Sequence, residues 1–349
     1  MPAHKDKKRG TWYAKFYYTD YHGNIKQKLK RGFVLKREAE AWERDFLKEI
    51  AYQPDMSFAA FYKLFQKDTE PRLREHTIQN RYYLYKNRVE PFFADKQLNA
   101  ITPQDILLWQ NQLIDAGFSR TYLSTCHVFL STIFNHAVKF YRLAENPCQK
   151  AGSIGGSRPQ KEMQFWTLAE FNSFISSVED IKARSAITLL YWSGMRKGEL
   201  LALNWSDIDF GTGQVAITKS MQRIKGRDVI TPPKTDKGIR TIGLPDQAIE
   251  VLQSYKQCCY DPSPDTPVFQ WEKRFIEQGM IDGCTLSGVK RIRIHDLRHS
   301  HASLLIELGY SPILIAQRLG HEKVETTLNT YAHLWPNKEA EMIEELNGL

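Results

Sequence analysis

A stretch without hydrophobic periodicity, residues 149–162, divides the chain into two parts. It reads QKAGSIGGSRPQKE and is rich in glycine, serine and lysine, a composition typical of linkers. The Asn146-Pro147 pair just before it is expected to end a helical unit. Residues 163–335 mix helical and strand patterns, so this chain of 349 residues is predicted to hold several domains.

Residues 57–148 are predicted to form an all-helical domain. Apolar residues recur at helical spacing in ILLWQNQLIDAG and YLSTCHVFLSTIFNHAVKFY. Thr102, Pro103 and Asp105 provide an N-cap, a first-turn proline and a first-turn acid for one of these helices. The apolar positions are interpreted as the core of this domain.

The N-terminal residues 1–52 are predicted to form a small sheet covered by a helix. TWYAKFYYTD and NIKQKLK alternate with a period of two, which indicates two strands joined by a turn. Lysines take every second position of the second strand, so they should share one face, with the apolar residues on the other. A helix with Ala39, Trp42 and Phe46 at helical spacing can cover the apolar face. The candidate DNA-binding residues of the basic face are Lys15, Lys26, Lys28 and Lys30.

The positive charge of the chain is concentrated in this module. Residues 1–37 contain eleven Lys and Arg against two acidic residues, a net charge of +9, whereas the whole chain carries +8. A concentrated basic face is typical of proteins that bind nucleic acid. Because the charge lies on a predicted sheet, a ribbon that enters the DNA major groove is favoured over a solubilising tail.

The sequence also indicates a cytoplasmic protein that does not bind a membrane. Apolar residues never run for 18 positions, and the N-terminus lacks the apolar segment of a secretory signal. The five cysteines include no C-x-x-C pair. That pattern argues against a disulfide framework or a structural zinc finger and fits a reducing compartment.

Residues 163–335 are predicted to form a mainly helical α+β domain with a small antiparallel sheet. Thr167 and Glu170 have the spacing of a capping box at the start of the first helix. GQVAITKS, DVITPPK and GIRTIGLP are predicted strands, and the pattern becomes helical again from Val289. The tail, residues 336–349, has apolar and acidic residues at helical spacing. It could dock on its own domain or on a neighbouring protomer.

The segment IHDLRHSHAS, residues 294–303, is compatible with two chemistries. His295 and His299 stand four residues apart, close to the H-E-x-x-H pattern of zinc proteases. Arg298 lies one helical turn from His295, however, and a guanidinium beside a zinc ion would destabilise it. The pair His295 and Arg298 suits a phosphate better, because a guanidinium can pair two phosphate oxygens. No metal site is predicted, and a zinc hydrolase is a disfavoured alternative.

Four segments in order resemble the motifs of the tyrosine recombinases, the phage integrase family. SGMRKGELLAL resembles the first arginine box, and PPKTDKGIRTIGLP resembles the lysine-bearing turn between strands. HDLRHSHAS resembles the H-x-x-R box, and LGHEKVETTLNTYAHL resembles the final histidine and tyrosine. The chain is most similar to integrases of phages and conjugative elements of Gram-positive bacteria. The resemblance implies an arm-type DNA-binding module, a core-binding domain and a catalytic domain in series.

The resemblance implies a role for each matching residue. Tyr331 would attack a DNA phosphate to give a 3′-phosphotyrosyl link and a free 5′-hydroxyl. Arg196 and Arg298 would clamp the non-bridging oxygens, and His321 would hydrogen-bond the phosphate. Glu199 would orient and support the pocket.

The proton-transfer roles come from the same resemblance. Lys234 would protonate the leaving 5′-oxygen, and the family pattern prefers it to Lys237. Gly238 departs from the pattern, because many relatives have a small hydroxyl residue there. His295 would act in proton transfer. The other histidines of this region are assigned structural roles: His299, His301 and His333.

The sequence therefore predicts a site-specific DNA recombinase, the integrase of a mobile element, that needs no metal, ATP or other cofactor. By resemblance, a homotetramer would exchange strands between two double-stranded DNA sites through a Holliday junction. Core and arm attachment sites would be its DNA partners, with accessory DNA-bending or directionality proteins as further candidates. Three alternatives stay open: a type IB-like topoisomerase, a DNA-binding regulator without catalysis, and the zinc hydrolase.

Overall fold

The structure is a computed structural model that describes residues 3–6, 9–19, 25–50, 56–155, 163–233, 235–269 and 274–335. The chain divides into two compact units, residues 1–161 and 162–349. The first unit holds a sheet-and-helix module and a helical domain, and the second is a mainly helical domain with small antiparallel sheets. The predicted fold class is confirmed. None of the helices in the described ranges has the length and apolarity needed to cross a membrane.

The N-terminal module is a three-stranded antiparallel sheet packed against one helix. Its elements are β1 (His4–Lys5), β2 (Trp12–Thr19), β3 (Ile25–Phe33) and α1 (Lys36–Ile50), with the strand order β1-β2-β3. β2 alternates as predicted, since Ala14 and Phe16 are buried whereas Lys15 and Tyr17 are exposed. Phe16 packs on α1, where its ring centroid lies 5.9 Å from that of Trp42.

The register of β2 and β3 corrects the prediction of a free face that carries the lysines. Lys28 pairs with Phe16 and Lys30 with Ala14, and directly paired residues of antiparallel strands point to the same side of the sheet. The lysines of β3 therefore lie on the helix side, where Lys28 Nζ is 5.0 Å from the centre of the Phe46 ring. The lysines on that side are Lys26, Lys28 and Lys30. The open face carries Tyr13, Lys15, Tyr17, Gln27, Leu29 and Arg31.

Residues 56–155 form a helical domain around an aromatic core. Its helices are α2 (Phe58–Thr69), α3 (Glu75–Leu84), α4 (Glu90–Phe93), α5 (Pro103–Asp115), α6 (Arg120–Tyr141) and α7 (Pro147–Ala151). The predicted cap is confirmed, because the Thr102 hydroxyl accepts from the N–H of Asp105 and the Asp105 carboxylate accepts from the N–H of Thr102. Large buried rings fill the space between the helices, among them Phe58, Phe93 and Trp109.

The Asn146-Pro147 pair begins a helix, so the prediction that it ends the helical unit is wrong. The Asn146 side chain accepts a hydrogen bond from the N–H of Cys148, and Pro147 lies in the first turn of α7, where an N–H is not needed. The chain stays packed on the domain beyond residue 149, because the Gln110 amide donates to the carbonyl oxygen of Gly152. The helical domain therefore includes the first residues of the predicted linker.

The C-terminal domain is built from eight helices and five strands in the ranges described. Its helices are α8 (Leu168–Ser176), α9 (Ile181–Ser193), α10 (Lys197–Leu200), α11 (Asp246–Cys258), α12 (Arg274–Ser287), α13 (Asp296–Glu307), α14 (Pro312–Leu319) and α15 (Val324–Tyr331). Its strands are β4 (Ile208–Asp209), β5 (Gln214–Ile217), β6 (Ser220–Ile224), β7 (Arg227–Thr231) and β8 (Arg240–Gly243). The strands predicted from the sequence are β5, β7 and β8, and the Thr167–Glu170 capping box is confirmed.

The central element of this domain is α9. It packs against α11, α12 and α13, and its residues from Ser185 to Tyr191 are all buried. The strands β4, β5 and β8 form one antiparallel sheet, while β6 and β7 form a separate hairpin. Because α9 is held from several sides, its C-terminal end has a fixed position, and the first predicted catalytic arginine follows directly after it.

Candidate active site

Four segments of the C-terminal domain bring the predicted catalytic residues together. Arg196 precedes α10, His295 and Arg298 lie at the start of α13, His321 follows α14, and Tyr331 ends α15. Burial raises the pKa of Tyr331, and the charges of Arg298 and Arg196 act against that rise. Burial lowers the pKa of His321, and the same two arginines lower it further. These side chains share one site, because Arg298 bonds the carbonyl oxygens of Gly194 and Leu319, which lie two residues before Arg196 and His321.

The lysine-bearing turn is described on both sides of Lys234, which itself lies outside the described residues. Lys237, the rival candidate, donates from Nζ to the carbonyl oxygen of Glu322 at 2.9 Å. This bond joins the turn to the loop between α14 and α15. At Gly238 an added Cβ would lie 2.6 Å from the Cβ of Pro233, too close for any side chain. The departure from the family pattern at Gly238 therefore has a packing reason.

The position of Arg196 follows from the way α9 ends. Gly194 closes the helix in the left-handed conformation, with φ of 64°. A Cβ on Gly194 would lie 2.6 Å from the His301 ring and 2.8 Å from the Leu319 side chain. Glycine is thus needed for both the backbone conformation and the space. The close approach brings the end of α9 against α13 and α14, which places Arg196 beside the residues that those helices carry.

Glu199 holds both the backbone and the guanidinium of Arg196 in place. Its buried carboxylate accepts hydrogen bonds from the backbone N–H of Arg196 at 2.9 Å and from Arg196 Nη1 at 2.8 Å. Burial alone would raise the pKa of Glu199, but the hydrogen bond and charge of Arg240, followed by those of Arg196, lower it overall. The carboxylate is therefore ionised at neutral pH. It orients a guanidinium that stays 43% exposed and can meet a ligand.

Arg240 is a site residue that the sequence reasoning missed. Its Nη2 donates to Glu199 at 2.9 Å, its Nε donates to the carbonyl oxygen of Arg318 at 2.8 Å, and its Nη1 donates to that of Gly238 at 3.1 Å. One buried side chain thus connects the Arg196 support, the lysine-bearing turn and the end of α14. The available signal was the strand period, which puts Arg240 on the same face of β8 as buried Ile242.

The buried Arg298 and the half-buried Arg318 hold the C-terminal end of α14. Arg298 donates from Nη1 to the carbonyl oxygen of Gly194 at 2.8 Å and from Nη2 to that of Leu319 at 2.7 Å. Burial, followed by the charge of Arg196, lowers the pKa of Arg298 to about 9, so the group is still a cation at neutral pH. Arg318 donates from Nε to Nε2 of His301 at 2.9 Å inside the core. The structural role predicted for His301 is confirmed.

The hydroxyl of Tyr331 is bonded to His299, a histidine to which the sequence assigned only a structural role. Tyr331 Oη lies 2.8 Å from His299 Nδ1, and only 1% of the tyrosine is exposed. Burial raises the pKa of Tyr331 to about 12. The family pattern gave His299 no role. The signal in the sequence was its place one helical turn after His295, on the same face of α13.

The other two predicted histidines are neutral at neutral pH. Burial, followed by the charges of Arg298 and Arg196, lowers the pKa of His321 to about 4, and His321 Nδ1 lies 2.8 Å from Thr327 Oγ1. Burial is also the main cause that lowers the pKa of His295, whose ring meets the His299 ring edge to face with centroids 5.3 Å apart. His333 is exposed on the turn after α15.

The arrangement suits a phosphate and lacks the ligands for a metal. Among the described residues, no group of three or more His, Cys, Asp or Glu side chains could hold a metal ion. The zinc-hydrolase alternative therefore has no ligand set in this part of the chain. Two guanidinium groups, neutral imidazoles and a buried hydroxyl instead match the needs of phosphoryl transfer.

Comparison with known proteins gives three family matches along the chain. Residues 164–338 match the Phage integrase family, residues 2–50 match an Arm DNA-binding domain, and residues 57–114 match the Phage integrase N-terminal SAM-like domain. The ICEBs1 integrase of Bacillus subtilis (strain 168) is 31% identical over 332 residues, which cover 90% of this chain and 89% of that protein.

Solved structures show a similar fold. The Tn1549 transposon integrase in complex with transposon right end DNA superposes with a TM-score of 0.69 at 18% identity, covering 84% of this chain and 100% of that one. The lambda integrase tetramer bound to a Holliday junction gives a TM-score of 0.59 at 18% identity, covering 97% of this chain and 95% of that one. At this identity the likeness establishes the fold alone.

Proposed function

The chain belongs to the phage integrase family of tyrosine recombinases, and from this premise we propose how its own residues act on DNA. It is a tyrosine-type site-specific recombinase with integrase activity. One observation carries the residue assignment: the buried Tyr331 packs in one cluster with Leu319, whose carbonyl oxygen accepts from Arg298, and Arg298 also bonds the carbonyl of Gly194, two residues before Arg196. Fixed cations around a hydroxyl favour attack on a phosphodiester, because they stabilise the charge that develops on the phosphate.

Cleavage begins with in-line attack of Tyr331 Oη on a phosphorus atom of double-stranded DNA. The new P–O bond links the 3′-phosphate to the tyrosine, while the bond from phosphorus to the 5′-oxygen breaks and leaves a 5′-hydroxyl. The phosphotyrosyl ester retains the energy of the original diester. Attack by a 5′-hydroxyl on that ester therefore rejoins the strands without ATP.

The phosphate is held by three side chains. Arg196, oriented by Glu199, and Arg298, fixed by two backbone carbonyls, bind the two non-bridging oxygens. His321 adds a hydrogen bond. Because the Thr327 hydroxyl can donate to its Nδ1, the proton of the neutral ring is on Nε2, from which it can be donated to the phosphate.

Protonation of the leaving 5′-oxygen is assigned to Lys234, on the strength of the family pattern. Lys234 lies outside the described residues, in the turn between Pro233 and Thr235. The bond of Lys237 Nζ to the Glu322 carbonyl supports this choice, because it engages the rival amine elsewhere. His295 is kept in a proton-transfer role at the same phosphate. The chemistry takes its positive charge from side chains, so we propose that it needs no metal ion.

The alternatives differ in what they leave unexplained. A type IB-like topoisomerase uses the same chemistry on one DNA molecule and has no need of a second recognition site. The match of residues 2–50 to an arm DNA-binding domain favours integration. A DNA-binding regulator without catalysis would leave the buried Tyr331, Arg298 and Glu199 without a function.

The assembly is proposed from the likeness to lambda integrase, whose structure is described as a tetramer bound to a Holliday junction. Four copies of this chain would bring two DNA duplexes together and exchange strands in two steps. Accessory DNA-bending or directionality proteins remain candidate partners. Residues 336–349, predicted to dock in cis or on a neighbour, lie outside the described residues. Because the substrate is DNA, we place the activity in the cytoplasm.

The open face of the N-terminal sheet is the surface proposed to enter the major groove of arm-type sites. It presents Lys15 and Arg31, together with the exposed Tyr17 of β2. Lys28 and Lys30 lie on the helix side with exposed side chains, where they and Lys26 can reach phosphates at the edge of the groove. The four lysines predicted from the sequence thus keep a DNA-binding role, but on two sides of the sheet.

Removal of residues 1–52 should leave cleavage at the core site intact and lower integration by at least about tenfold, because one of two linked DNA-binding modules is lost. Suicide-substrate cleavage and a two-duplex integration assay measure the two activities. The double variant Lys15→Ala with Arg31→Ala should reproduce the integration defect, whereas Lys36→Ala on α1 should not. Full integration by the truncated protein would contradict the arm assignment.

The experiment that tests the proposed function is covalent capture in EDTA. Duplexes with a nick near a randomised sequence are incubated with the protein, and the sequence that becomes covalently attached defines a suicide substrate for its core site. The wild-type protein is expected to form the adduct at the same rate with EDTA and with magnesium. Absence of an adduct, or an adduct that EDTA prevents, would overturn the mechanism.

A further inference from the structure

We propose that His299 is the base that takes the proton of Tyr331 during cleavage and returns it during ligation. This inference rests on the proposed role of Tyr331 as the nucleophile. The H-x-x-R histidine, His295, was expected to serve in proton transfer. Among the described residues, however, it is His299 that contacts the reacting oxygen, at 2.8 Å.

The hydrogen-bond geometry sets the direction of this contact. A tyrosine hydroxyl has one hydrogen to donate, and within the described part of the chain its partner is His299 Nδ1. If Nδ1 carried the ring proton, the hydroxyl hydrogen would have no acceptor among these residues, in a site that excludes water. The arrangement that satisfies both groups has Tyr331 donating to Nδ1, with the ring proton on Nε2. That is the arrangement needed for proton transfer to His299.

Burial leaves little opportunity for water to take the proton instead. Tyr331 is 1% exposed, and it packs in a small cluster with Ala302, Ile306, Ile315 and Leu319. A general base must lie within hydrogen-bond distance of the proton that it removes. His299 meets this requirement from a position on α13 one residue after Arg298. The same helix thus presents both a phosphate ligand and the base.

The charges around His299 make its basicity depend on bound DNA. Burial lowers its pKa to about 4. The titratable and charged groups that face it are His295, Arg293 and Arg298, which lower the pKa further, and Asp296, which raises it. His299 in turn lowers the pKa of His321, on the loop after α14. The ring is neutral at pH 7, and its Nδ1 lone pair is available to accept the Tyr331 proton. A phosphate between Arg196 and Arg298 would offset their charge, so the base becomes stronger when the substrate is in place.

In both cleavage and ligation, every proton that one group releases is taken up by another group of the site. In cleavage, the Oη–P bond forms as the Oη–H proton moves to Nδ1 of His299, and the leaving 5′-oxygen receives its proton from the acid assigned to Lys234. In ligation, the 5′-hydroxyl gives its proton to the neutral amine of that lysine. The imidazolium of His299 then protonates Tyr331 Oη as the Oη–P bond breaks. No free phenolate or external base is required at any point.

The test separates proton transfer from placement of the tyrosine. His299→Asn puts an amide oxygen near the position of Nδ1, so it can accept the hydrogen bond but cannot take the proton. Under single-turnover conditions with saturating suicide duplex, His299→Asn is expected to cleave about 100-fold or more slowly than wild type. Its DNA affinity should be unchanged. His333→Asn, on the exposed turn, is the matched control and should cleave like wild type.

A substrate with sulfur in place of the 5′-bridging oxygen shows which proton transfer a variant impairs. The two possibilities are removal of the tyrosine proton and protonation of the leaving group. A thiolate leaves without an acid, so this substrate should restore cleavage by Lys234→Ala but not by His299→Asn. Ligation from the preformed adduct should be slowed in His299→Asn by the same factor as cleavage. Loss with His295→Asn and none with His299→Asn would transfer the role to His295 and overturn the inference.

A measurement on the wild-type protein keeps the inference testable if the variants fold poorly. With the sulfur-bridged substrate, the proton that moves in the cleavage step is that of Tyr331. Cleavage is therefore expected to be at least about twofold slower in D₂O. Equal rates in H₂O and D₂O, or wild-type cleavage by His299→Asn, would overturn the role of His299 while leaving Tyr331 as the nucleophile. Failure of wild type to form any adduct would instead overturn the proposed function itself.

Discussion

Replacement of Tyr331 by phenylalanine should abolish the covalent protein–DNA adduct, with a loss of at least about 10⁴-fold in cleavage rate. Phenylalanine keeps the buried ring that packs against Ala302 and Ile306 and removes the hydroxyl alone. The bond to His299 is lost with it, which should cost only about 1 kcal/mol of folding free energy. The adduct is measured on a nicked suicide duplex as a band that survives denaturing electrophoresis.

A second tyrosine provides the control for this experiment. Tyr310 lies in the same domain between α13 and α14 and is 45% exposed, so Tyr310→Phe removes a hydroxyl that the mechanism does not use. We expect Tyr310→Phe to form the adduct at the wild-type rate. Tyr331→Phe should still bind the suicide duplex with wild-type affinity. An adduct in Tyr331→Phe would show that another residue is the nucleophile.

Replacement of Arg298 should have the next largest effect on cleavage. Arg298→Lys keeps a positive charge, but a single ammonium group cannot bond the carbonyls of Gly194 and Leu319 and also pair with a phosphate oxygen. Cleavage is expected to fall by about 10²–10³-fold, the range seen when one fixed donor to a developing charge is removed. Arg298→Ala should in addition lower the free energy of unfolding by several kcal/mol, because about 1–3 kcal/mol is lost for each buried group left without a partner.

The matched control for Arg298 is Arg318, which is half-buried and also donates to backbone carbonyls. Arg318 bonds the carbonyl oxygens of Trp192 and Gly243 and the ring of His301, none of which is proposed to touch DNA. Arg318→Lys should lose stability yet cleave at close to the wild-type rate at a temperature where it is folded. A folded Arg298→Lys protein that cleaves like wild type would contradict the phosphate clamp.

The sequence was sufficient to predict which residues the structure brings together in the candidate site, and there is a physical reason for this. Arg196, Arg298, His321 and Tyr331 lie in separate segments, and two of these segments, those of Arg196 and His321, begin at a glycine that ends a helix. Gly194 ends α9 in the left-handed conformation just before Arg196, and Gly320 does the same for α14 just before His321. Such a helix end fixes the direction of the chain that follows it. A short motif around the glycine therefore determines much of the position of the site residue.

The faces of the N-terminal sheet could not be predicted, because alternation within one strand does not give its register with the next. Lys26, Lys28 and Lys30 alternate as expected along β3. Their side of the sheet depends on pairing across the hairpin, where a one-residue shift moves every side chain to the opposite face. The observed pairs, Lys28 with Phe16 and Lys30 with Ala14, place them on the helix side. There the ammonium groups of Lys28 and Lys30 lie over the rings of Phe46 and Trp42, while both side chains stay exposed.

The residues that the sequence reasoning missed act through tertiary contacts. Arg240 lies on β8, yet its partners are Glu199 at the start of α10 and the backbone at the end of α14. His299 meets Tyr331, which lies 32 positions further along the chain, only because α13 and α15 are brought together by α14. Helical or strand periodicity shows on which face of an element a residue lies. It does not show which other element packs against that face.

The most direct test of the mechanism is to locate the bond between protein and DNA. The adduct formed by the wild-type protein on its suicide duplex in EDTA is digested with protease and nuclease, and the peptide that retains a nucleotide is sequenced by mass spectrometry. The mechanism predicts a single peptide with the nucleotide joined through its 3′-phosphate to Tyr331. Attachment at any other residue, or through a 5′-phosphate, would contradict it.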